Sequence, residues 1–254
     1  MTIFDSSKEA YLEIEKLISK TDYRSWSEED VWQVFSWLLS RSAPLPDFHL
    51  AVQDYRDEFT FVYNQVISEH EAVFWRYFRA PDGTPYINPM NLDHLTRLLY
   101  LFMRRLVNAK APVTFLDCLF FSMRTHCGLN LFYHTEIDTY FFPQHALSAV
   151  IGYGTYGKFL QISQNCTFGQ NHNKYPSIGD GVIMGANSMV LGNCRIGNNV
   201  FVAAGAIVVD RDIPDDTIVI GTPKDQTIKE NNQDNRASFF DLAHLSEATG
   251  NSLA

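Results

Sequence analysis

From residue 128 onward the apolar positions recur every six residues. Val150, Tyr156, Ile162 and Phe168 share one register, and Ile178, Met184, Val190, Ile196, Val202 and Val208 share a second. In the second register the next residue is small or apolar (Gly179, Gly185, Leu191, Gly197, Ala203, Val209). The residue four on is usually small (Val182, Ser188, Cys194, Val200, Ala206). A helix repeats its buried face about every 3.6 residues and a strand every second residue, so neither explains the pattern. A period of six predicts a triangular coil of three short strands per turn, each side sending one apolar residue inward, with small residues at the corners. Phe168 and Ile178 are ten apart rather than six, so extra residues must loop out. That exit loop is Gly169 to Ser177. Cys166 and Cys194 fall at the small inward position and are expected to be inert core thiols.

The first half has helical spacing instead. Asp5-Ser6-Ser7 offers caps before Tyr11, Leu12, Ile14, Leu17 and Ile18. Ser27-Glu28-Glu29-Asp30 resembles a capping box, with Asp in place of Glu, ahead of Val31, Trp32, Val34, Phe35, Leu38 and Leu39. A longer helix is predicted over about 47–79, broken by Ala80-Pro81-Asp82-Gly83-Thr84-Pro85, and two more over about 90–108 and 113–126. Arg97 to Arg105 is basic and apolar, which reads as a core-facing helix with exposed arginines rather than a membrane-surface segment. The organisation expected is α+β: an α-helical domain at 1–127, a β-helix at 128–225 and a mobile tail at 226–254. Within that tail Phe239, Phe240, Leu242 and Leu245 can form one short amphipathic turn that docks.

Composition sharpens the boundary. Of 14 glycines only Gly83 precedes Gly128, whereas all four tryptophans (Trp26, Trp32, Trp37, Trp75) do. A hydrophobic content of 46% excludes general disorder, and a net charge of −9 argues against a nucleic-acid partner. No apolar run approaches the roughly 20 residues of a membrane span, and the charged start (Asp5, Lys8, Glu9) lacks a signal-peptide core, so a cytoplasmic protein is expected. The four cysteines show no metal-ligand spacing.

The hexad, written [LIV]-G-x-x-[STAV]-x, resembles that of the hexapeptide-repeat acyltransferases. Ser177-Ile178-Gly179-Asp180-Gly181-Val182 and Ile220-Gly221-Thr222-Pro223 look like that family's recurrent segments. The resemblance covers about residues 128 to 226 and implies a left-handed parallel β-helix. Together with a long helical domain it is similar to serine acetyltransferases and to the related O-acetyltransferases of surface polysaccharides. In these an active-site histidine sits just before the regular coils, and the matching segment here is Pro143-Gln144-His145-Ala146-Leu147-Ser148-Ala149-Val150-Ile151-Gly152. His145 is therefore the expected general base, an imidazole suited to taking a hydroxyl proton near neutral pH. It would activate the acceptor for direct attack on acetyl-CoA, with coil N–H groups stabilising the oxyanion. No cysteine is placed for a covalent intermediate, and no metal is implied.

Several positions depart from the serine acetyltransferase pattern. Asn130 stands where an aspartate orients the imidazole, so either its amide takes that role or Glu136 or Asp138 does. Gln144 replaces an aspartate that receives the substrate ammonium, and Lys174-Tyr175-Pro176 replaces an Arg-His-Pro that handles the carboxylate. These changes point to a polyhydroxyl acceptor held by Gln144, Asn171, Asn173, Lys174 and Tyr175, with His172 in contact. The expectation is therefore acetylation of a sugar hydroxyl of a surface polysaccharide or its precursor. The alternatives are serine O-acetylation and an inert trimeric scaffold. A zinc carbonic anhydrase on the same coil is disfavoured, because it needs three converging histidines and the regular coil offers only His145 and His172, with His134 just upstream at the wrong spacing. The resemblance places the coenzyme against Gly185, Ala186, Ala204, Gly205 and Ala206, with Arg211 and Lys224 for its phosphates. It implies a homotrimer with shared sites, and a helical domain that either pairs trimers or shapes the acceptor entrance.

Overall fold

A computed structural model of the chain describes residues 22–42, 48–73, 77–138 and 140–249. The predicted helix around Tyr11 to Ile18 lies outside them. Helix α1 (Glu28–Ser42) starts on the predicted box: Asp30 N–H donates to Ser27 Oγ at 3.2 Å, and Ser27 N–H to Asp30 Oδ2 at 2.8 Å. The long helix predicted next is two, α2 (Phe48–Gln53) and α3 (Arg56–Glu71). It breaks at Asp54-Tyr55, where Tyr55 leaves the helical region (φ −110°, ψ 25°), and it ends at Glu71 rather than near 79. Helix α4 (Leu92–Asn108) is capped by Asn91, whose side chain accepts from Asp93 N–H at 2.9 Å. Helix α5 (Val113–Ser122) runs on into a wider turn, Met123–Cys127, that stops at Gly128. Gly128 has φ 59°, a left-handed conformation that favours glycine, and there the chain turns into the β-helix.

The expectation of exposed arginines on α4 needs correcting for Arg97, which is fully buried and ion-paired to Glu69 of α3. Helix α4 is the central helix, packed by α3 on one side and by α5 and the β-helix on another. A cation there requires a carboxylate partner inside the core. Arg104 reaches Glu136 at 2.6 Å, and the Arg105 guanidinium lies 4.2 Å from the centroid of the Phe61 ring.

Fourteen short strands follow: β1 Asn130–Leu131, β2 Phe142–Pro143, β3 Val150–Ile151, β4 Thr155–Tyr156, β5 Gln161–Ile162, β6 Thr167–Gly169, β7 Ser177–Ile178, β8 Ile183–Met184, β9 Met189–Leu191, β10 Arg195–Ile196, β11 Phe201–Val202, β12 Ile207–Val209, β13 Thr217–Ile220 and β14 Thr227–Glu230. They stack into three sheets, ordered β1-β3-β6-β9-β12, β4-β7-β10 and β2-β5-β8-β11-β13-β14, parallel except for the final β13–β14 pair. This is the expected parallel β-helix, and nine of the ten predicted inward residues are buried. Val150 is the exception, 41% exposed, with Ile151 facing inward in its place. Pairing explains it: Ile151 stands beside Phe168 and Val150 beside Thr167, so the first coil is one residue short before β4. Cys166 and Cys194 are buried at the inward small position.

The corners demand left-handed backbone. One corner is built on Ser148, Asn165, Asn187 and Gly205, and another on Phe159, Gly181, Asn199 and Asp216, all with φ between 53° and 72°. Asn, Asp and Gly tolerate that conformation best, which accounts for the Asn-rich spacing between strands.

The tail expectation is also corrected. Strand β14 pairs antiparallel with β13, and Asn231 and Asn235 are buried against the second corner. Phe239, Phe240 and Leu245 then dock beside Phe142, Phe159, Ala72 and Val73, leading into helix α6 (Leu242–Thr249). The apolar side chains at 239–245 outweigh the polar run before them, so the segment folds back instead of remaining free.

Two neutral histidines lie between the helices. His70 Nδ1 is 2.9 Å from the Tyr86 carbonyl, and His94 Nδ1 accepts from Asn88 N–H at 3.0 Å. Burial pushes His70 down to about 4 and His94 well below its usual range. The unfolded chain therefore takes up protons below about pH 6.5 that the folded chain refuses, at His70 until about pH 4. Stability is complete above that window and falls through it, by roughly 1.4 kcal/mol per pH unit for each histidine. Urea midpoints between pH 7 and 4.5 should drop accordingly, and a His70→Phe variant should show a shallower decline.

Candidate active site

His145 sits on an insertion in the coil. Phe142 pairs with Gln161 and Val150 with Thr167, so Phe142 and Val150 are eight apart where Gln161 and Thr167 are six. Two extra residues therefore bulge from the β2–β3 corner. Ser148 keeps the ordinary corner role, its N–H donating to the Gly128 carbonyl at 2.8 Å. His145, with φ 50°, occupies the bulge, and Leu147 N–H donates to its carbonyl at 2.7 Å. A left-handed non-glycine residue costs on the order of 1–3 kcal/mol unless its surroundings hold it.

Asp93 does so. Its Oδ1 accepts from His145 N–H at 2.8 Å, and its Oδ2 lies 3.7 Å from His145 Nδ1. The imidazole is 72% exposed while the carboxylate is 9% exposed, so one half of the pair faces solvent and the other is fixed inside. Burial raises the Asp93 carboxyl, opposed by the His145 amide and the imidazole charge. Asp93 lies in the first turn of α4, where the helix dipole favours an anion. Asn91-Leu92-Asp93 reads in the sequence only as a helix start, so nothing there singled Asp93 out.

The other candidate residues are distributed around the coil. Asn130 is exposed; its backbone N–H donates to Ala149, and its side chain has no hydrogen bond to His145. Glu136 is taken by Arg104, and with Asp138 and Tyr153 it lines an open depression of about 570 Å³ that His145 does not line. Gln144 accepts from Gln161 Nε2 at 2.6 Å. The exit loop leaves between β6 and β7, at a different corner from His145. Asn171 and Lys174 bridge its base through paired backbone hydrogen bonds of 3.0 and 2.9 Å, and Asn171 Nδ2 donates to Asp210 at 2.6 Å. Asn173 N–H donates to Gln170, Tyr175 lies edge-on to Tyr153 at 5.9 Å, and His172 is exposed.

Ala186, Ala204 and Gly205 stack at the corner of Ser148, Asn165 and Asn187, joined by Gly205 N–H to the Ala186 carbonyl at 2.9 Å. Gly185 has no room for a side chain, since an added Cβ would stand 2.6 Å from Ala204 N. Ala206 points inward and is fully buried, so its side chain is not part of an outer groove. Arg211 donates to Gln226 at 2.8 Å, and Lys224 is exposed.

Residues 175–210 match the family model described as bacterial transferase hexapeptide (six repeats). A serine acetyltransferase of Synechococcus elongatus is 33% identical over 129 residues, 49% of this chain and 50% of that protein. The chain thus spans about half the length of the curated relatives it matches. A crystal structure of Neisseria gonorrhoeae serine acetyltransferase in complex with serine is similar in fold, with TM-score 0.63 and 24% identity, covering 85% of this chain and 93% of that one. A serine acetyltransferase complex with CoA has TM-score 0.61 and 18% identity, covering 88% and 96%. The expectation of a polysaccharide acceptor is overturned by these relatives, which are serine acetyltransferases. That expectation weighed Gln144 and Lys174 in isolation. It looks for the group beside the histidine at Asn130, Glu136 or Asp138, whereas the carboxylate that stands there is Asp93, on a helix 52 positions earlier.

All four cysteines are buried, and desolvation raises every thiol, Cys127 to about 12. A maleimide or iodoacetamide added to the native chain at pH 7.5 should label none within the time that labels all four in denaturant, read by intact mass.

Proposed function

We infer that this chain, a hexapeptide-repeat acyltransferase, is an acetyl-CoA-dependent O-acetyltransferase whose acceptor is the hydroxyl of serine. The observation carrying this is the exposed His145 imidazole held against the buried Asp93 carboxylate on a two-residue bulge. Asp93 faces Nδ1, which leaves Nε2 directed outward as the base. The serine hydroxyl gives its proton to Nε2 as its oxygen bonds to the acetyl carbonyl carbon. Collapse of the tetrahedral species breaks the C–S bond, and the imidazolium returns the proton to the CoA thiolate. The nearby carboxylate stabilises the imidazolium between these steps. It also offers an anion to an amino-acid ammonium, the partner that Gln144 does not provide. The inert-scaffold alternative rests on the missing aspartate at 130 and the missing second histidine at 175, and Asp93 removes the first of these reasons.

Lys174 suits the serine carboxylate as a point charge. It stands on the exit loop, at a different corner from His145, so the two meet most simply when His145 of one copy faces the loop of another. Leu147, Val150, Tyr153 and Tyr175 are each at least 41% exposed around these two insertions, an apolar rim that a neighbouring copy would cover. The small corner of Ala186, Ala204 and Gly205 lets pantetheine lie close to the backbone, and a homotrimer would complete that groove.

Purified chain incubated with acetyl-CoA should release free thiol with serine and not with oligosaccharides or nucleotide sugars. His145→Ala should lower kcat by roughly 10²–10⁴-fold without altering the oligomer seen by light scattering. Asp93→Asn should fall in between and keep the fold. Turnover of sugars but not serine, or full activity in His145→Ala, would refute the assignment.

A further inference from the structure

The C-terminal segment retraces the coil along the corner built on Phe159, Gly181, Asn199 and Asp216, away from His145. Beyond β14, Asn231 N–H donates to the Asp216 carbonyl at 2.7 Å, and Asn231 Nδ2 donates to the Asn199 carbonyl at 3.0 Å. Asn235 N–H donates to Asn199 Oδ1 at 2.9 Å, and its Nδ2 to the Gly181 carbonyl at 2.9 Å. Phe240 then lies 5.2 Å from Phe159. Asp216, Asn199, Gly181 and Phe159 are successive left-handed residues of that corner, so the segment engages each level in turn. It ends on the helical domain, where Phe240 bridges Val73 and Asp241 N–H donates to the Ala72 carbonyl at 2.7 Å.

The aromatic contacts beneath this strap lead to both members of the Asp93–His145 pair. Phe239 stands 5.3 Å from Phe142, which precedes His145 by three residues on β2. Phe142 stands 5.1 Å from Phe78, and Phe78 stands 4.4 Å from His94, the neighbour of Asp93 on α4. The coil supplies His145 and the helical domain supplies Asp93. Their separation therefore depends on how these two bodies are held together, and Phe239 closes the layer between them. A displacement of about 1 Å in a catalytic pair can cost on the order of 10²-fold in rate.

We propose that residues 231–245 form a positioning strap and that Phe239 is a positioning residue, setting the distance between Asp93 and His145 without touching either or the substrate. This rests on the reading of His145 as the base. The strap is built rather than incidental: its two asparagines are buried and satisfied by backbone groups of two coil levels, a cost that a merely trailing segment would not bear.

The test is a double-mutant cycle on the full chain. Phe239→Ala should lower kcat by about tenfold or more, leave KM for acetyl-CoA within about twofold, and move the acid limb of the pH–rate profile in the same direction as Asp93→Asn. In an Asp93→Asn background the same change should lower kcat by less than about threefold, because the contact it sets is already gone. Should Phe239→Ala fail to fold, Phe239→Leu carries the same cycle with smaller single effects. Equal losses in both backgrounds, or a lowered Tm with kcat and pH profile unchanged, would overturn the strap. Full activity in His145→Ala would instead remove the base assignment, so the two failures are told apart.

Discussion

A coil that must send one apolar residue inward at every sixth position has no interior space for an extra residue. Any insertion has to leave at a corner, and it leaves facing solvent. The described part of this β-helix has two such exits, the two residues that bulge at His145 and the longer loop at 170–176. Each carries an exposed histidine on left-handed backbone, His145 at φ 50° and His172 at φ 47°. The geometry that makes the core regular thus also decides where reactive side chains can stand.

The bulge would be loose on its own, because it lacks the rung of hydrogen bonds that strands provide. It is tied down by a carboxylate from outside the coil. Asp93 accepts the His145 amide and its other oxygen faces Nδ1 at 3.7 Å, so a group on the first turn of α4 fixes the backbone of the bulge and places a carboxylate beside its ring. The carboxylate is buried and the imidazole is not, a division that fixes one partner and leaves the other free to meet an acceptor. The helical domain is in this sense part of the proposed site.

The coil was largely legible because its period is strict: nine of ten inward positions and both inward cysteines follow from counting by six. Val150 escaped because a one-residue deletion between β3 and β4 shifts the register without altering the apolar character of the string Val150-Ile151. The long helix at 47–79 misled because the break at Asp54-Tyr55 holds neither Gly nor Pro. The tail read as mobile because Glu230 to Asp234 is polar, yet Asn231 and Asn235 are bound by carbonyls of Asn199 and Gly181 that only the folded corner exposes. Asp93 was invisible for a related reason. Its signal is a contact across 52 positions, and within its own stretch it reads as ordinary helix-start chemistry.

Comparing positions one by one treats a lost charge as lost to the site, so Gln144 in place of an acid seemed to exclude an ammonium. A site assembled from two bodies can draw its charge from either, and the electrostatic requirement concerns the space near the imidazole rather than any position in the chain. Gln144 is occupied with Gln161 and braces the strand before the bulge, while the buried Asp93 supplies the negative charge. Burial makes that substitution effective, since a carboxylate held in low dielectric acts on its neighbour more strongly than one in water. Burial also raises the carboxyl and resists its ionisation, and the His145 amide and ring act against this. Order in the bulge therefore depends on the helical domain and the coil staying together, because Asp93 of one is the acceptor for the His145 amide of the other.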